Sequence, residues 1–208
     1  IFGDLCSGTL AYFRRNIYQT TLNCLNISDT VIFWTRDNSL GSLKELLAVS
    51  RQFNWRQNLQ NMPARGVIVC EEMEMLRNNE MNTGGAIYST SLIYGRGLYN
   101  AHAKSESLNF AGCVVDNSVF NDIPEEVNIA ELMLPYGKLY SVPYKQQIEQ
   151  EVDEYVLNII NGRLNEQAFQ NYSESIRTRF SCDNKPVSSE RVQELIRNSI
   201  TFLTTFCE

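Results

Sequence analysis

The chain has 208 residues, a formal net charge of −6, 43% hydrophobic residues and 20% charged ones, a balance ordinary for a globular protein with a sizeable core. That length suits one large domain or a domain with an appendage. The acidic balance, with no basic cluster, argues against a nucleic-acid surface, and no apolar run approaches the roughly 20 residues of a membrane span.

The chain opens Ile1-Phe2-Gly3-Asp4, with no starting Met and no signal peptide. The numbering is therefore expected to begin inside a longer natural chain. Ile1 to Cys6 reads as the end of a strand that delivers Asp4. Thr9 to Cys24 reads as a helix with Thr9 as a cap. Leu25 to Trp34 reads as a hairpin, because turn formers around Asp29 precede the unbroken apolar run Val31-Ile32-Phe33-Trp34. Leu43, Leu46, Leu47, Val49 and Phe53 then predict a helix over 40–58.

Ala64 to Cys70 predicts a buried strand. Glu71 to Gly85 is polar and predicts a strand extension followed by a mobile loop. Ser91 to Tyr94 leads into Gly95-Arg96-Gly97 and a helix over 98–109, and 111–116 is the next strand. Leu132 to Val142 supplies further strand material. Ile148, Val152, Tyr155, Val156, Ile159 and Ile160 mark one amphipathic helix, and helices follow over 164–180 and from Ser188. The order βαββαβ predicts an α+β fold. Its expected form is a ferredoxin-like antiparallel sheet with helices on one face, over residues 1–143, and a C-terminal helical extension over 144–208.

The six cysteines are far apart and form no C-x-x-C pair, so buried free thiols in a reducing cytoplasm are expected ahead of disulfides or zinc. The single histidine, His102, makes a histidine metal site or a Ser-His-Asp triad hard to build. In a βαββαβ sheet, Asp4 and Asp29 converge at one end. Paired carboxylates repel unless one is protonated or a cation bridges them, and Mg²⁺ or Mn²⁺ suits such a pair. The alternative is two unrelated turn acids.

Phe2-Gly3-Asp4-Leu5 resembles the F-x-D-[IL] opening of class III nucleotidyl cyclase domains. Ile27-Ser28-Asp29-Thr30-Val31 resembles their second metal-aspartate hairpin, in the S-D-[ST] form of the bacterial Pycsar anti-phage pyrimidine cyclases. Ala64-Arg65-Gly66-Val67-Ile68, Gly95-Arg96-Gly97-Leu98 and Asn109 to Asp116 resemble further segments of that branch, in the same order. The resemblance covers roughly residues 1 to 120.

That resemblance implies two divalent metal ions, Mn²⁺ or Mg²⁺, held by Asp4, Asp29 and the carbonyl of Leu5. They would bind a nucleoside triphosphate, with Phe2 and Arg65 also on the substrate. It implies a 3′,5′-cyclic nucleotide product, read by a separate effector, and a head-to-tail homodimer with shared active sites. The family's N-x-x-x-R helix corresponds to Asn100 and Lys104, which lie on one helical face. Asn100 would orient the ribose, and Lys104 would neutralise the α-phosphate. A second register, ungapped from Gly95, puts Tyr99 and Ala103 there instead. One residue of slip turns a helix by about 100°, so only one register holds. Leu25 and Leu92 or Ile93 stand where purine cyclases carry polar base readers, which implies a pyrimidine substrate, UTP ahead of CTP. The interval from Asp4 to Asp29, 25 positions, is shorter than the family's and holds one helix. Either a helix was lost, or a loop after Gly8 is skipped.

Outside the resemblance, Arg65 reads as a strand-end residue paired with a nearby acid, and Glu72 as a solvated edge residue. A non-catalytic nucleotide-binding or dimerisation module on the same fold, or a purine cyclase, is the alternative.

Overall fold

The computed structural model describes residues 20–27, 29–60, 62–145, 152–182 and 186–207. Phe2, Asp4 and Leu5, and most of the helix expected over 9–24, lie outside them. The end of that expected helix is corrected, because Asn23–Ile27 is a strand, β1.

β1 pairs antiparallel with β2, Thr30–Trp34. Ile27 pairs with Thr30, so a tight turn carrying Asp29 joins them. Helix α1 spans Leu40–Gln60. Its start is fixed by side chains: Asp37 accepts from the Ser39 amide at 2.9 Å and the Ser42 hydroxyl at 2.7 Å, and Ser39 Oγ accepts from the Ser42 amide at 3.2 Å. Phe53 on α1 meets Phe33 on β2 edge to face, with centroids 5.2 Å apart.

The main sheet has the order β3-β6-β8-β7. β3 (Gly66–Ile68) runs parallel to β6 (Cys113–Val115). β8 (Val152–Leu157) lies antiparallel to both β6 and β7 (Gly137–Val142). The fold is therefore α+β. Alternate residues of β6 enter two cores. Val114 packs with Val156, Phe110, and Ile176 and Phe202 of the C-terminal helices. Cys113 and Val115 pack with Leu157, Leu47 of α1 and Met133. Strands buried on both faces read as apolar runs without alternation.

Over its own residues, 152–157, β8 corrects the helix expected over 148–160, and with it the purely helical character expected after residue 144; residues 148–151 lie outside the described ones. The apolar residues there match helical spacing because inner-strand residues on both faces are apolar. Glu154 broke the run, yet it is 3% exposed, its charge met inside the protein.

A second correction concerns residues 71–94. β4 (Glu74–Met81) and β5 (Ile87–Tyr94) pair along their whole length as a hairpin, where a strand extension followed by a mobile loop was expected over 71–85. Its turn closes through Asn82 and Ala86 (N to O, 2.9 Å) with Gly85 at φ 83°. Most of its residues are exposed on both faces, so it shows none of the apolar alternation by which a strand is recognised.

Helix α2 spans Arg96–Ser107. A short helix, α3 (Ile129–Met133), precedes β7; α4 (Glu166–Ser181) and α5 (Glu190–Thr204) close the chain, much as expected. Among the described residues no helix is long and apolar enough to cross a membrane.

Candidate functional site

The Gly95-Arg96-Gly97 step sets α2 against the segment after β3. Gly95 has φ 135°, and a Cβ there would meet the Glu72 carbonyl oxygen at 2.5 Å. Gly97 donates its amide to that oxygen at 3.0 Å. Close approach of the two backbones brings Asn100, one turn along α2, over Glu71. The Asn100 amide donates to both Glu71 carboxylate oxygens at 2.9 Å.

Lys104 follows one turn later on the same face. Its ammonium donates to Asp116, at the end of β6, and to Glu154 in β8. Asp116 also accepts from the Ser118 amide at 2.8 Å. Burial tends to raise the Asp116 pKa, but the bonds from Lys104 and Ser118 outweigh it and hold the carboxyl below its ordinary value. Tyr144 donates its hydroxyl to the other oxygen of Glu154. Burial, then the Glu154 carboxylate, pushes the phenol well above its usual range.

Four of these residues, Glu71, Asn100, Lys104 and Asp116, line an open cavity of about 300 Å³ together with Val69 and Ala103. It lies beyond the parallel strands β3 and β6, with α2 as its wall. Asn100 and Lys104 both face it, so the two residues of the first register share one wall. In the second register, Ala103 touches the cavity but Tyr99 is 73% exposed. The Lys104 ammonium lies where two converging carboxylates would otherwise need a cation.

Of the other expected site residues, Arg65 and Asp29 are described, and both lie apart from the cavity lining. Arg65 pairs with Glu106 at 2.8 Å and donates to the carbonyls of Glu106 (3.1 Å) and Leu108 (3.3 Å), closing the C-terminal end of α2. Asp29 is exposed at the β1–β2 turn, and the cavity lining does not include it. Its hard carboxylate oxygen suits Mn²⁺ or Mg²⁺, while Asp4 and Leu5 lie outside the described residues. Among the described residues, no group of three or more His, Cys, Asp or Glu is placed to hold a metal.

Sequence reasoning did not reach Glu71, Tyr144 or Glu154. The available signal was Glu154 itself, an acid inside an otherwise apolar run. Cys24, Cys70, Cys113, Cys182 and Cys207 are free thiols. No family model, no curated protein and no solved structure matches this chain.

Proposed function

We propose that the chain is a metal-dependent nucleotidyl cyclase. It converts a pyrimidine nucleoside triphosphate, UTP ahead of CTP, to a 3′,5′-cyclic nucleotide and pyrophosphate. The observation that carries this reading is the pairing of Asn100 and Lys104 on one wall of a cavity, four positions apart on α2. That spacing matches the family's transition-state pair. The role falls to Lys104 as a point charge without the bidentate fork of arginine. Two Mn²⁺ or Mg²⁺ ions at Asp4, Asp29 and the Leu5 carbonyl would bind the triphosphate and make the ribose 3′-hydroxyl a better nucleophile. Asn100 orients the ribose, and Lys104 meets charge that develops on the α-phosphate. Phe2 and Arg65 contact substrate in this reading. The specific ferredoxin-like cyclase arrangement belongs to the same proposal. So do cytoplasmic location, a role in anti-phage defence and a separate effector for the product.

A homodimer with shared active sites completes it. The β4–β5 hairpin supports that part, since a two-stranded hairpin is marginal in water by itself. It exposes Leu76, Met81, Ile87, Tyr88 and Leu92.

A second reading, a non-catalytic binding or dimerisation module, is favoured by the double pairing of Lys104 with Asp116 and Glu154, which already neutralises its charge. The deciding experiment incubates ATP, GTP, CTP and UTP separately with the protein and Mn²⁺, for the wild type and Asp29→Ala. A cyclic pyrimidine product that disappears in the variant supports the cyclase. No cyclic product from a folded dimer leaves the module.

A further inference from the structure

Glu154 is an acidic residue in the middle of the sheet, 3% exposed, with both carboxylate oxygens engaged. One oxygen accepts from Lys104, and the other from Tyr144. Its two oxygens are thus satisfied in the interior by two donors that come from outside the sheet. Lys104 lies at the junction between this buried carboxylate and the cavity, with its side chain 21% exposed. An ammonium has three N–H donors. Asp116 takes one and Glu154 a second, which leaves the third for a group in the cavity.

We infer that Glu154 is a positioning residue: with Asp116 it anchors the Lys104 ammonium at the cavity wall, so that one N–H is directed to an anionic oxygen of a bound ligand. A lysine side chain has four carbons of free rotation and loses much entropy when fixed. Two carboxylates on adjacent strands remove that freedom before ligand arrives. Tyr144 holds the far oxygen and sets the plane of the Glu154 carboxylate. The contribution to turnover rests on the cyclase reading; the anchoring of Lys104 does not.

The experiment is pulse acetylation of the full chain with an amine-reactive ester at fixed pH. The rate at Lys104 is read by mass spectrometry relative to exposed Lys44, in the wild type and Glu154→Gln. Release of one charge-assisted bond is expected to raise the Lys104 rate about tenfold. A general loss of stability would raise the rate at the partly buried Lys138 as well, so a rise confined to Lys104 reports local release. An unchanged ratio in a folded variant overturns the inference. Should Glu154→Gln fail to fold, the wild-type ammonium is observed directly by proton–nitrogen NMR. A resolved Lys104 signal with slow proton exchange supports anchoring, and a solvent-averaged one overturns it. Turnover is measured in parallel with the triphosphate that gives product. There, Glu154→Gln is expected to lower kcat about tenfold with KM within about twofold. A raised acetylation ratio in a protein that converts no nucleotide rejects the cyclase reading and leaves the anchoring established. An unchanged ratio in an active enzyme does the reverse.

Discussion

Asn100 and Glu71 are 29 positions apart, and one side-chain amide joins them, donating to both carboxylate oxygens at 2.9 Å. The bond turns the Asn100 carbonyl oxygen away from Glu71 and fixes the rotamer at the cavity. In the cyclase reading this amide orients the ribose. Asn100→Ala is then expected to lower kcat about 100-fold, the scale seen when one preorganised transition-state group is lost. Both residues are exposed, so the melting temperature should shift by less than about 2 °C. Pyrophosphate release and calorimetry on the same preparation separate the effects. A large loss of stability would recast Asn100 as a structural clasp.

Lys104 answers to stability as well as activity. Removing it leaves Glu154, 3% exposed, without its cation. Breaking a buried pair from one side typically costs about 3–5 kcal/mol. Lys104→Met should therefore be strongly destabilised in urea. The double variant Lys104→Met with Glu154→Leu should recover much of the loss, because the one carboxylate left behind, Asp116, is 25% exposed and keeps its bond from the Ser118 amide. Additive losses would show that the two side chains do not interact.

The two halves of the site differ in how legible they were. Asn100 and Lys104 share a helix, so their common face follows from a spacing of four. Asp116 was seen as a strand end but not as a partner, since that depends on how β6 meets α2. Glu154 was misread with its whole segment. Val152, Tyr155, Val156 and Ile159 follow helical spacing, while the true period was hidden because β8 is inner and covered on both faces. The β4–β5 hairpin was lost for the opposite reason: both faces are wet, and Glu, Asn and Arg fill positions where apolar alternation would reveal a strand. The helix over 40–58 was recovered nearly whole from Leu43, Leu46, Leu47 and Phe53 at helical spacing, although its buried positions include the polar Ser42, Ser50, Asn54, Gln57 and Asn58.

Asp37 gives a pH test at the start of α1. Hydrogen bonds from Ser39 and Ser42 lower its carboxyl from 3.8 to about 2. A depressed carboxylate contributes stability above its unfolded pKa and loses it as pH falls through the folded value. The stability gap between wild type and Asp37→Ala should hold above pH 4 and shrink as pH falls towards 2. Asp116→Asn should show the same sense, with the window below the ordinary carboxylate pKa. Denaturant titrations at stepped pH measure both. A gap that widens on acidification would contradict the assignment.

The thiols divide sharply. Burial pushes Cys113 up to about 12 and Cys24 up to about 11, so neither forms thiolate readily at neutral pH. Cys182 and Cys207 are exposed. Among the described thiols, a short iodoacetamide pulse at pH 8, mapped by mass spectrometry, should label Cys182 and Cys207 first. Cys113 should react only under denaturant. Early labelling of Cys113 in native protein would show that the β3–β6 pair opens.

Leu76 and Leu92 lie directly opposite each other across the β4–β5 hairpin, 54% and 50% exposed. Tyr88, two pairs further along the same face, is 67% exposed. Apolar side chains so placed lose little when changed in an isolated chain, but remove contact area from an interface. If the hairpin is the dimer contact, Leu76→Glu with Leu92→Glu should halve the mass seen by light scattering at micromolar concentration. The like charges, directly opposite, would also oppose residual association. In the shared-site reading, the monomer should lose cyclase activity while its core retains native stability, because the hairpin forms a sheet of its own. A variant that stays dimeric moves the interface elsewhere. One that turns monomeric yet keeps full activity separates the dimer from the catalytic site.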